Sequence, residues 1–221
     1  KQYQEHVAAG NTWLFDSPEL HMLQTYNGGD YEGNPDLITV LASNALSAVQ
    51  WIESLGVKFQ DKLGMATGAI WQRSHYGIAD KYPDGFASIF GFVDYIDSHD
   101  NIEIQLNTKA IELIVEDGKV VGVKAMNGDN PVTYHANKGV VLATGGFGAN
   151  VEMRQKYNTQ WANLDSSIGC SNQSVAAQSD GIVMAEAVGA QLVDMGLIQL
   201  HPNGEVGTGM MMGVPGTSGL N

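Results

Sequence analysis

Residues 139–150 read GVVLATGGFGAN, an apolar run that stops abruptly in Gly145-Gly146, with a third glycine at 148. The run itself reads as a buried β-strand. Glycines at a strand's end give up side-chain packing and cost backbone entropy, so their presence needs a cause. Two causes fit. A ligand passes over bare main chain at the carboxyl end of a strand in an open α/β sheet, or the chain turns sharply with no ligand at all. The longer dinucleotide fingerprint GxGxxG occurs nowhere in the 221 residues, so this chain carries no pyrophosphate cradle of that kind.

Working outward, Asn150 is placed to cap a brief helix, and the polar stretch 163–178 marks a domain edge. Residues 179–202 then predict a capped helix ended by Gly189, followed by two short strands. On the upstream side, 102–106, 110–117 and 119–126 have β character, with Asp117-Gly118 as a hairpin turn and a further short strand at 132–136. A helix is expected within 83–100, and the glycine- and aromatic-rich 64–85, with Arg73 and His75, reads as a loop. Two earlier helices carry clear start signals. Ser17-Pro18-Glu19 opens one that should stop at Asn27-Gly28-Gly29, and Asn34-Pro35-Asp36 opens another that Gly56 closes, with Leu37, Val40, Leu41, Ala48, Val49, Ile52 and Leu55 at helical spacing.

Composition narrows the function classes. The net charge is −13 and only two arginines occur, Arg73 and Arg154, which speaks against nucleic acid and anionic membrane surfaces as partners. No apolar run approaches the roughly 20 residues of a membrane helix, so no membrane insertion is expected from this segment. A single cysteine, Cys170, excludes an internal disulfide and a CxxC metal site, and no metal is expected. Cys170 reads as a small packed residue. Acidic charge and one cysteine suit a cytoplasmic protein.

ATGGFGAN (143–150) and SDGIVMAEAVGAQLVDMGLIQLHP (179–202), together with DSPEL, the 34–59 helix region and the NTKAIELIVEDGKVVGV hairpin, resemble the flavoproteins of the fumarate reductase and succinate dehydrogenase family, nearest to its soluble flavocytochrome-type and urocanate-reductase-like members. The resemblance implies an α/β fold, α+β in part: an incomplete FAD-binding domain over 1–150, with a β-hairpin meander and helices, and the start of a substrate-capping domain over 151–221. It also implies that the N-terminal strand–GxGxxG–helix of the family would precede Lys1, and that the rest of the cap would follow Asn221. The cofactor implied is FAD. The reaction implied is hydride transfer from the flavin N5 to the C=C bond of an unsaturated carboxylic acid, with the electron donor unspecified.

By the same resemblance, Ala143, Thr144, Gly145 and Gly146 lie along FAD, Ala110 marks where the family's backbone meets the adenine, and Asp180 matches an acidic residue that contacts the flavin. Ser179 or Asp180 acting only as a helix cap is the plainer alternative for that position. His201, in QLHP, matches a histidine that holds a substrate carboxylate. The family's proton-donating arginine is expected beyond Asn221, so no catalytic residue is assigned within the chain, which alone is expected to be inactive and to bind FAD weakly or not at all. One departure matters: the Thr-Glu pair with which fumarate reductases grip the second carboxylate falls here on Gly213-Val214. Thr208 and Thr217 are the nearest hydroxyls and could serve only if the loop runs differently, so the substrate implied is a fumarate-like acid or a bulkier, partly apolar enoate; the latter would suit Met210, Met211 and Met212, for which plain core packing is the other reading. Two rival readings stand beside this one: an autonomous α+β binding module without flavin chemistry, and a related flavin enzyme acting on a ketosteroid or on aspartate.

Overall fold

A computed structural model describes residues 2–11, 15–65, 69, 71–78, 86–170 and 176–200. The chain divides into two compact units, 1–104 and 105–221.

The first unit is mainly helical: α1 (Gln2–Ala8), α2 (Pro18–Gly28), α3 (Pro35–Ser54) and α4 (Ala87–Asp97), with two short strands, β1 (Lys58–Phe59) and β2 (Gly77–Ile78). The start signals work as their chemistry dictates. Ser17 Oγ accepts from Leu20 N at 3.2 Å, and Asn34 Oδ1 accepts from Asp36 N at 2.9 Å and from Leu37 N, each followed by a proline that gives up no needed donor. Gly56 stops α3 in a left-handed conformation (φ +90). At the end of α2 the left-handed positions are Asp30 and Tyr31, not the glycines, and Tyr31 Oη donates to Asn27 Oδ1 at 2.6 Å. α2 packs on α3.

The stretch expected to be a loop over 64–85 is partly a closed excursion instead. β1 and β2 pair antiparallel (Lys58 with Ile78, Phe59 with Gly77), and Gly64 and Ser74 exchange main-chain hydrogen bonds at 2.9 and 3.0 Å. Trp71 Nε1 ties the excursion back to Phe15 O at 2.8 Å. Residues 66–68, 70 and 79–85 lie outside the described set.

The second unit is built on a three-stranded antiparallel meander, β3 (Thr108–Glu116), β4 (Lys119–Asn127) and β5 (Asn130–His135), in that order. Asp117 (φ 49) and Gly118 (φ +74) make the two-residue turn that joins the first pair, both left-handed as the right-handed strand twist requires. Two short helices follow, α5 (Val151–Tyr157) and α6 (Asp180–Ala187), the latter ended by Gly189 (φ +93). Leu113, Ala125, Met153, Leu164 and Met184 are buried here.

Three sequence expectations are corrected. Residues 102–106 form no strand, and Ile102, Ile104 and Leu106 are exposed. The run 139–144 is not a buried strand: it makes no main-chain hydrogen bond among the described residues, and Val141 is 89% exposed. Residues 190–200 are irregular, where two strands were expected. In each case the side chains suit a strand, but no described segment pairs with them, and a strand exists only through its ladder. Among the described residues no helix is long and apolar enough to cross a membrane.

Candidate functional site

The glycine turn of 143–150 is held from behind by the segment that leads into α6. Gly146 O accepts from Ser179 N at 3.1 Å, and Ala149 N donates to Ala177 O at 3.0 Å. Asn150 joins both sides. Its Oδ1 caps α5 by accepting from Met153 N at 2.9 Å, while its Nδ2 donates to Ser179 Oγ at 3.0 Å and to Gln178 O at 3.2 Å. Asn150 is therefore a cap, as its position predicts, and also a clamp.

Ser179 is buried at 2% exposure and sits in a left-handed conformation (φ 75) with its hydroxyl directed to Gln178 O. It makes no side-chain cap of α6. Conformations of this kind persist in a non-glycine residue where the surroundings over-determine them, and here both its N–H and its Oγ are committed. Two residues on, Gly181 lies against Thr144: a Cβ added at Gly181 would stand 2.0 Å from Thr144 Oγ1. The Asp-Gly pair at the start of α6 thus admits the end of the 139–144 run because position 181 has no side chain.

Arg154 braces the other flank. It is 4% exposed, and its guanidinium donates to main-chain carbonyls only: Nη1 to Gly148 O and Nε to Leu164 O, each at 2.8 Å, and Nη2 to Asp165 O and Ile168 O. The planar fork satisfies four acceptors at once, a task for which arginine is suited and lysine is not. Asp165, at the rim of this loop, accepts from Ser167 and Asn163 and feels the Arg154 charge, which brings its carboxyl down to about 2. Arg154 braces the loop through these four hydrogen bonds. Cys170 packs beside Gly148, where an added Cβ would lie 3.2 Å from Sγ.

The front of the turn is bare. A Cβ built on Gly145 or on Gly146 meets no atom within 4 Å, and Gly145 is left-handed (φ +76). A cavity of about 320 Å³ opens on one side, lined by Gly146, Phe147, Gly148, Met195 and Ile198 among others. Nearby, Asp180 Oδ2 pairs with Lys109 Nζ at 3.3 Å, joining α6 to β3 one residue before Ala110. Ala110 faces Ala125 across the ladder, just before a register shift. Both members of the ion pair are well exposed, so it contributes little stability and chiefly orients the carboxylate.

Of the residues singled out in the sequence, Ala110, Ala143, Thr144, Gly145, Gly146 and Asp180 all lie in the second unit. Thr144, Gly145, Gly146 and Asp180 are brought to one locality by the Gly146–Ser179 and Thr144–Gly181 approaches, and the Lys109–Asp180 pair carries β3 to it. His201, Met210, Met211, Met212, Gly213 and Val214 lie outside the described residues. Sequence reasoning passed over Lys109, Gly181 and the second role of Asn150. A glycine directly behind an acidic helix start was the one available signal. No metal-ligand cluster occurs among the described residues.

Residues 6–221 match the family described as FAD binding domain. The chain is 38% identical to the NADH:acrylate oxidoreductase of Vibrio harveyi over 216 residues, covering 92% of this chain and 21% of that protein. It is 36% identical to the urocanate reductase of Eggerthella lenta, covering 93% of this chain and 34% of that one. Among solved structures, the open conformation of a flavocytochrome c3 fumarate reductase superposes with a TM-score of 0.77 at 28% identity, over 95% of this chain and 36% of that one. The chain thus spans between a fifth and about a third of the length of these relatives.

Proposed function

Because the chain belongs to the FAD binding domain family, we propose that its 143–146 main chain is the surface on which the flavin nucleotide rests. The observation that carries this reading is the one-sidedness of the turn. The rear carbonyls and amides are taken by Ser179, Ala177 and Arg154, while the front over Gly145 and Gly146 is open to 4 Å. A turn made only to reverse the chain has no need of such a bare, braced face. In functional terms, 1–150 belongs to the FAD domain and 151–221 begins the cap.

The whole enzyme, in this reading, reduces the C=C bond of an α,β-unsaturated carboxylic acid, in line with the acrylate and urocanate named for two relatives. Bound FAD supplies a hydride from its N5. The chain's own residues supply position: Ala143–Gly146 set the depth of the nucleotide, and Ala110 and the oriented Asp180 flank it. His201 donates a hydrogen bond to the substrate carboxylate, an interaction that strengthens as charge builds there. With Gly213-Val214 where fumarate reductases carry a Thr-Glu pair, the side chains at those two positions offer a second carboxylate no hydrogen bond, which favours a monocarboxylic enoate over fumarate.

The test is a substrate panel on the full-length, FAD-loaded protein with a reduced dye as donor. Acrylate and bulkier monocarboxylic enoates are expected to outpace fumarate in kcat/KM. Fumarate turning over fastest, or no enoate turning over, overturns the proposal. Residues 1–221 expressed alone are expected to show no turnover.

A further inference from the structure

The first unit holds a cavity of about 420 Å³ that shares no residue with the glycine turn. Its volume is in the range of small-molecule sites, about 300–1,000 Å³. One wall is apolar. Ala42, Ala45, Leu46 and Val49 recur at i, i+3, i+4 and i+7 on one face of α3, and Leu63 extends it.

The remaining lining is largely polar. Asp16, His21, Arg73 and His75 all border the space. Arg73 grips Asp16 bidentately, Nε to Oδ2 and Nη2 to Oδ1 at 2.9 Å each, and Nη2 also reaches Gln24 Oε1 at 2.7 Å. Its Nη1 donates to nothing among the described residues, and neither the His21 nor the His75 ring makes a hydrogen bond there. His75 instead packs edge-on against Phe59, at 5.7 Å between ring centroids. Burial, then the Arg73 charge, holds His21 below its ordinary pKa, so the ring is neutral and offers one donor and one acceptor.

This composition selects a ligand. The Arg73–Asp16 pair is close to electroneutral, so the polar end offers N–H donors with little surplus positive charge. Such an end disfavours a phosphate or a dicarboxylate and leaves Arg73 Nη1 and the two imidazoles as hydrogen-bond donors for a singly charged or neutral head group, and the α3 wall suits a short hydrocarbon chain. We propose that this cavity is a binding site for a small saturated or unsaturated monocarboxylic acid, its carboxylate against Arg73 Nη1, His21 and His75 and its chain along Ala45 and Val49.

The probe is hexanoate, which has no reducible bond, titrated calorimetrically into the full-length FAD-loaded protein. Two saturable sites are expected, one in this cavity and one at the substrate site that His201 serves. Ala45→Met, which keeps a good helix former on α3 and fills the space, is expected to weaken the cavity site by about tenfold or more with an unchanged circular dichroism spectrum. Arg73→Lys is expected to weaken it as well, since lysine cannot hold Asp16 and still present a second donor edge. His201→Ala is expected to remove the substrate site alone and leave the cavity site unchanged. A single site that His201→Ala abolishes, a cavity site that survives Ala45→Met, or no binding at millimolar concentration in the His201→Ala protein overturns the proposal. A crystal structure with the cavity filled by the protein's own side chains does the same.

Discussion

Thr144 and Gly181 meet so closely that a single added carbon at position 181 would fall 2.0 Å from the threonine hydroxyl. Contacts this short cannot be absorbed by a β-branched side chain, whose χ1 is stiff. Gly181→Ala should therefore destabilise the second unit by about 1–3 kcal/mol. Adding Thr144→Ala should recover part of that loss. The check is a double-mutant cycle by urea unfolding, and simple additivity of the two changes would mean that the contact is not the cause.

Gly146 is the opposite case. Its φ is ordinary, and an added Cβ meets nothing. Gly146→Val should leave the stability of the flavin-free protein within about 0.5 kcal/mol of wild type, as a surface change does. If the front of the turn receives FAD, the same change should cost the full-length protein most of its flavin occupancy, read from the absorbance ratio of flavin to protein. Retained stoichiometric flavin would refute the assignment of this face.

Arg154 offers a test of architecture. Replacing it with methionine strands four main-chain acceptors around a buried space. We expect a loss of about 2–4 kcal/mol. Arg154→Lys should rescue little of it, because an ammonium has no planar fork. Full rescue by lysine would show that charge alone, and not the fork, organises the loop.

Stability should fall on acidification in two stages. His21 lies below the ordinary imidazole value of 6.5 in the folded state through burial and the Arg73 charge, with Asp16 opposing. Its contribution is therefore present above pH 6.5 and is lost as pH falls through the lowered folded value. For Asp16, burial alone would raise the carboxyl, but the Arg73 hydrogen bonds and charge and the Ser17 N–H outweigh it, so the folded value lies below 3.8. Asp165 is brought down to about 2 by Ser167 and Asn163. Both carboxylates contribute above pH 3.8 and lose that contribution below it. Urea midpoints from pH 8 to pH 3 should show an early decline that His21→Gln diminishes and a later one that it does not. An early decline of undiminished size in that variant would exclude His21 as its source.

Much of the fold is legible in the residues because its boundaries rest on local chemistry. Ser17, Asn34 and Asn150 each accept the main-chain N–H that their position predicts. Asp117-Gly118 forms the hairpin turn, and Gly56 and Gly189 stop their helices with positive φ. Ladder membership is not local, and there the reading fails. Residues 102–106, 139–144 and 190–200 have the alternation or apolar character of strands, yet pairing depends on a neighbour that one segment cannot specify. The candidate site divides in the same way. Gly145 and Gly146 stand out because two adjacent glycines break an apolar run. Lys109 gives no sign of itself, since an exposed lysine on a strand is ordinary until Asp180 is found 3.3 Å away. Ser179 reads as a cap and is instead a buried, left-handed joint, which only the clamp from Asn150 explains.

The uncharged stretch Gly139–Thr144, with Val141 almost wholly in water and no main-chain hydrogen bond among the described residues, has a practical corollary. Short β-prone windows without a charge or a proline are the segments that seed cross-β association. Concentrated samples of these 221 residues on their own should self-associate through it, and a lysine gatekeeper at Val141 is the place to restore solubility.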